Sequence, residues 1–176
     1  MKKIILIIIT FYNLNLYSQH LTMNDLDYLY NNNIEGCDAL LTQKGFVYDK
    51  TELKDGKLVT LWYYKRHNSN DTNSNKSNEF IYKECDDKTF SPECDLLQYI
   101  FSDNLHFNAI KENIKNNKLA IFMYSEPSEK SGLNFYYLYP GPIELRFVSL
   151  PTKALNVKTF GIILKKMNVT YEDEKK

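Results

Sequence analysis

Three histidines and three cysteines are the residues best suited to chemistry in this chain, and their spacing limits what they can do. His20, His67 and His106 stand far apart. None lies three or four residues from another, so no single helix presents two imidazoles to one zinc ion. A nucleophilic cysteine needs a base within hydrogen-bond reach, and Cys37 has none close by in sequence. Phosphate-binding glycine loops, a G-x-S-x-G elbow and a dinucleotide fingerprint are all absent. One oxygen-rich stretch, HNSNDTNSNKSN, with the Glu79 that follows it, sets Asn68, Asn70, Thr72 and Glu79 at positions 1, 3, 5 and 12 of a calcium-loop frame. That frame wants Asp first, Gly sixth and a helix on each side. Here Asn68 and Asn73 fill those places and the flanks read as strands, so a solvated loop is expected. The sequence therefore predicts no catalytic residue, no metal site and no cofactor, and the expected class is a non-enzymatic binding protein.

The other two cysteines suggest structure. Cys85 and Cys94 flank DDKTFSPE, and each borders an apolar extended segment. If those segments are antiparallel neighbours, the two thiols meet at the mouth of the loop and can form a disulfide. Closing so short a loop would add about 2–3 kcal/mol. Two free, half-buried thiols are the other reading. Cys37 shares a helical face with Ile34 and Leu41 and reads as core.

An aromatic segment raises a question of binding. In NFYYLYPGP, residues 134–142, four aromatic side chains occupy five consecutive positions, so neither face of the strand is polar. Phe135, Tyr137 and Tyr139 point one way, Tyr136 and Leu138 the other. An earlier segment, LVTLWYYKR, offers Leu61 and Tyr63 on one face and Trp62 and Tyr64 on the other. The expected ligand surface is a solvent-facing cluster of Trp62, Tyr64, Tyr136 and Leu138, suited to a protein or a glycan. The bland alternative is tyrosine covering the outer face of a sheet. A one-residue register error would exchange the two sets.

Several elements position these residues. The chain opens MKKIILIIITFYNLNLYSQH, with Lys2 and Lys3 before an apolar run too short to span a bilayer. This reads as a signal peptide over residues 1–18, with Ser18 at the cleavage site, and predicts an exported protein, periplasmic or secreted. The short Lys-Lys leader looks bacterial, so the formal glycosylation sequons at Asn70, Asn75 and Asn168 carry little meaning. No later stretch is long enough for a membrane helix.

Residues 19–168 form one expected domain, followed by a charged tail over 169–176. Thr22 with Asp25 reads as a helix start, and Asn33 caps a second helix that Gly45 ends. Four extended segments follow. Then the order repeats: HFNAIKENIKNN presents Phe107, Ile110 and Ile114 on one helical face, and four more extended segments succeed it. Residues 158–166 also admit a helix.

The two halves, about 22–102 and 105–167, align with a single change of offset. Ile34, Cys37 and Leu41 match Phe107, Ile110 and Ile114 at an offset of 73, and Leu61-Trp62-Tyr63 match Phe135-Tyr136-Tyr137 at 74. Phe80 and Tyr82 then match Ile143 and Leu145 at 63, as Leu97 matches Phe160. The change of 11 falls across the Asn/Ser-rich insertion, where the second half has only PGP. The fold expected is α+β: a tandem duplication of an α–β4 unit, an antiparallel sheet with helices packed on one face. Length, export and this element order resemble the secreted β-lactamase inhibitor proteins, which also set helices of two tandem units against four-stranded antiparallel sheets. The resemblance implies a binding protein and transfers no individual residue.

Charge excludes one partner class. The chain has 22 Lys+Arg and 22 Asp+Glu, and loss of Lys2 and Lys3 leaves 20 against 22, a net −2. Arg66 and Arg146 are the only arginines, so no basic stripe exists to neutralise phosphates, and nucleic acid is not expected as a partner. The alternative functions are an envelope structural or assembly factor and, with least support, an enzyme lacking any recognisable motif.

Overall fold

A computed structural model describes residues 20–64, 79–86, 94–128, 132–151 and 158–167. The predicted signal peptide, the Asn/Ser-rich insertion with every named calcium-frame residue but Glu79, and the charged tail lie outside the described residues, as do the three sequons. Helix α1 spans Met23–Asn31, α2 Ile34–Gln43 and α3 Asn104–Asn116. The strands are β1 Phe46–Lys54, β2 Lys57–Tyr64, β3 Phe80–Asp86, β4 Cys94–Phe101, β5 Ile121–Ser128, β6 Gly132–Tyr139, β7 Ile143–Pro151 and β8 Lys158–Lys166. Residues 158–166 are thus a strand, as their pairing with β4 and β7 requires.

Local signals account for the helix ends. Thr22 and Asp25 form a reciprocal capping box at α1, which satisfies donors that have no partner inside the helix. The Asn33 side chain accepts from Gly36 N at 2.8 Å, and Asp103 accepts from Leu105 and His106 N at the start of α3. After α2, Gly45 takes φ +88, a left-handed conformation that glycine adopts without strain. A Cβ there would meet the Tyr64 ring at 3.0 Å, so the position is closed to larger residues by space as well.

All eight strands form one antiparallel sheet in the order β1-β2-β3-β4-β8-β7-β6-β5. Each half sets helices before a four-stranded meander, α1 and α2 in the first and α3 alone in the second, and the meanders join where β4 lies beside β8. Leu97 faces Leu164 there, Tyr99 faces Ile162 and Phe101 faces Phe160. The order reads the same from either end, and it leaves β1 and β5 as the two outer strands. Cys85 and Cys94 are cross-strand partners on β3 and β4 and form a disulfide, as their flanking segments predict.

The helices lie on one face. Leu26, Leu29, Cys37, Leu41, Phe107, Ile110 and Ile114 pack against Trp62, Ile81, Leu97, Tyr99, Tyr137, Leu145, Phe147, Ile162 and Leu164 in one continuous core. These strand residues recur every second position, as a sheet buried on one face demands. A charged residue interrupts this core. Lys83, 1 % exposed, follows Ile81 on the same face and sends its amine to the backbone oxygens of Leu29 and Asn32 at the end of α1. Those oxygens have no intrahelical partner, and the C-terminal end of a helix favours a cation.

Candidate binding surface

The two aromatic strands place their side chains differently from the sequence expectation. Trp62 is completely buried under α2, and its indole Nε1 donates to Asp38 Oδ1 at 2.9 Å. Tyr64 lies on the same helix-covered face, half-buried with its ring against Phe46 at 5.5 Å. Tyr136 and Leu138 lie on the opposite face, which no helix covers among the described residues, hereafter the helix-free face. Trp62 and Tyr64 therefore do not belong to an exposed cluster. The reason is register. Trp62 pairs with Ile81, and Tyr137 pairs with Leu145, so Trp62 occupies the place of Tyr137 rather than Tyr136. A slip of one residue in matching the halves turns every side chain to the other face. Distance separates the two pairs as well: β2 and β6 have four strands between them, about 24 Å at ordinary strand spacing.

On the helix-free face, cross-strand pairing sets Leu61, Tyr82, Gln98, Ile163, Arg146 and Tyr136 in one row across the sheet. Polar neighbours interrupt it: Tyr82 donates to Glu84 at 3.0 Å, and Arg146 pairs with Glu144. Tyr136 is only 5 % exposed because its own neighbours enclose it. Tyr124 of β5 stacks on it with ring centres 4.4 Å apart, Arg146 lies 5.2 Å from its ring centre, and its hydroxyl donates to Glu126. That hydrogen bond, then burial, raises the Tyr136 phenol above its ordinary value, so it remains a protonated donor near neutral pH. Leu138 is half-buried beside them, paired with Ile121 and Glu144.

Among the described residues, the exposed large apolar side chains other than Tyr28 and Leu105, which belong to helices, lie on the outer strands. Val47, Tyr48 and Leu53 lie on β1, while Ile121, Phe122 and Tyr124 lie on β5 at 69, 53 and 46 % exposure. The strands differ in charge. Asp49, Lys50, Glu52 and Lys54 stud β1, whereas Leu119 through Ser125 contains no charged residue. Both strands carry an irregularity, at Tyr48/Lys50 and at Phe122/Tyr124. The importance of β5 is not visible in its local sequence, because an outer strand is defined by pairing order rather than by composition.

A second cluster gathers at the start of α3. His20 stacks on His106 with ring centres 4.3 Å apart, and His20 Nε2 lies 3.4 Å from Asp103 Oδ2. Among the described residues, no group of three or more His, Cys, Asp and Glu is placed to hold a metal ion. Burial, and secondarily His20, lower the His106 pKa to about 4, against the opposing pull of Asp103 and the Leu21 backbone. Folding therefore favours the neutral ring: the stability this supplies is complete above pH 6.5 and is lost as pH falls towards about 4. Because the ring is only half-buried and therefore screened, we expect a loss of about 1–2 kcal/mol across that window. Urea midpoints of wild type and His106→Asn should converge as pH falls from 6.5 to 4; parallel curves would show that His106 is not responsible.

No protein-family model, curated protein or solved structure matches the chain. Among the described residues no helix is long and apolar enough to cross a membrane.

Proposed function

We propose that this chain is an exported, non-enzymatic binding protein that takes up an extended segment of a partner protein along the free side of β5. One observation carries the reading: β5 ends the sheet, exposes Ile121, Phe122 and Tyr124, and has no charge from Leu119 through Ser125. Outer strands present backbone donors and acceptors to any passing strand, and proteins guard them with charge or proline, as β1 does along its length and β5 only towards its end, at Glu126 and Pro127. An added strand would gain main-chain hydrogen bonds, while alternate side chains would find the two faces of the sheet. On the helix-free face it would meet Tyr124 with Ile121, Leu138 and Arg146 behind. On the other it would meet Phe122, whose ring lies edge-on to Tyr137 at 5.5 Å. Tyr136 contributes by holding Tyr124 in place.

Export rests on the leader sequence. The disulfide supports it, since such bonds persist in oxidising compartments. We also propose that the halves are a tandem duplication of an α–β4 unit, akin in layout to the secreted β-lactamase inhibitor proteins. The sheet order, which reads alike from both ends, supports this, as does the helix-plus-meander make-up of each half.

The test is a pull-down from native envelope and culture-medium extracts with tagged wild type, an Ile121→Lys/Tyr124→Lys variant and a Val47→Lys/Leu53→Lys control on β1. All four side chains are exposed, so each pair should shift the melting temperature by only a few degrees. We expect wild type and the β1 control to capture the same protein and the β5 variant to lose it at least tenfold. Equal capture by all three would overturn the site, and retention on glycans alone would overturn the ligand class. An obligate oligomer that the β5 charges dissolve would favour an envelope assembly role, with the same strand as a permanent subunit contact.

A further inference from the structure

The buried amine of Lys83 lies against the buried thiol of Cys37. Nζ and Sγ are 3.2 Å apart, Lys83 is 1 % exposed and Cys37 is completely buried. The two belong to different elements, β3 and α2, and are 46 positions apart in the chain. Lys83 also donates to the oxygens of Leu29 and Asn32, while Cys37 Sγ lies 3.3 Å from Leu29 O. Nζ donates to Cys37 Sγ as it does to the two oxygens, and loss of that one proton gives a neutral amine whose lone pair faces sulfur. Burial favours the neutral forms of both groups: it lowers the lysine pKa and raises that of the thiol. Two residues along the same strand, Cys85 is already oxidised in its disulfide with Cys94.

We propose that Lys83 and Cys37 form a covalent N–O–S bridge when the folded protein meets dioxygen. The pair is thereby an oxidation site that staples α2 to the sheet. In the balanced step, a neutral amine and a thiol react with one dioxygen molecule. One N–H and the S–H bond are lost, N–O and O–S bonds form, and the O–O bond breaks. One oxygen remains in the bridge, and the other leaves as water with the two displaced hydrogens. Dioxygen is reduced, and the nitrogen–sulfur pair is oxidised. The enclosed site suits this outcome. The amine is already in contact with the sulfur, whereas a bulky thiol such as glutathione has no room to cap it.

The experiment is intact-mass and peptide-map analysis of full-length protein purified in air without reductant, beside Cys37→Ser and Lys83→Arg. We expect wild type to gain one oxygen and lose two hydrogens, beyond the two hydrogens lost to the disulfide. The map should contain a peptide joining the segments around residues 37 and 83, uncut by trypsin after Lys83. Reductant should remove both signatures, and neither variant should show them. If a variant fails to fold, the wild-type map alone decides. Cys37 that remains fully alkylatable after denaturation would overturn the proposal, as would Cys37 found only as an uncross-linked oxyacid.

Discussion

Trp62→Ala is expected to lower the unfolding free energy by about 3–5 kcal/mol, the range for deleting a large aromatic side chain from a packed core. Trp62 is completely buried, pairs across the sheet with Ile81 and has the Tyr48 ring edge-on at 6.2 Å. Its loss would open a cavity under α2 and remove the indole donor from the Asp38 carboxylate. Trp62→Phe separates these effects. It keeps most of the ring contact and loses the hydrogen bond, so a cost of about 1–2 kcal/mol is expected. Urea denaturation of the two variants and wild type checks both figures. A loss below about 1 kcal/mol for Trp62→Ala would mean that the indole is not packed as described. The result also bears on the binding surface: a Trp62 variant that binds poorly would report a damaged core rather than a lost contact.

How much of this was readable beforehand varies with the physical origin of each feature. The helix starts at Thr22 and Asn33 and the stripe Phe107, Ile110 and Ile114 were legible, because capping and the 3.6-residue period depend on neighbours a few residues apart. The Cys85–Cys94 pair was legible for the same reason, since a short loop brings its own ends together. The faces of β2 and β6 were not. Each has apolar or aromatic residues at successive positions, so alternation gives no answer, and Trp62 and Tyr136 appear equivalent until partners fix the register. Nor was the enclosure of Tyr136 visible. It depends on Tyr124, Glu126 and Arg146, which reach it only after β5, β6 and β7 pair. Lys83 gave the least warning, since a lysine in an apolar strand ordinarily points to water.

That lysine is expected to be the most sensitive charged position among the described residues. Lys83→Ala should cost about 3–5 kcal/mol, because it removes a fully buried stem and leaves the Leu29 and Asn32 oxygens only the weak Cys37 thiol as donor. Lys83→Met keeps the stem and removes only the amine. It should cost less than Lys83→Ala, since the desolvation penalty of a buried cation disappears with it. Linkage gives a second, independent readout. Burial lowers the folded-state pKa of Lys83 below the ordinary 10.5, so over the interval between them the unfolded chain binds more protons. Wild-type stability should therefore rise with pH through that interval, and Lys83→Met should flatten the rise. Cys37 acts in the opposite sense, because its thiol is raised above 9.0 and the unfolded chain loses that proton first as pH rises past this value. Both proteins carry Cys37, so its contribution is common to the two profiles, and both are measured from neutral pH past 10.5 in the same reductant so that neither retains a cross-link. A wild-type profile no steeper than that of Lys83→Met would show that the amine reaches water in the folded state, and the contact with Cys37 would fall with it.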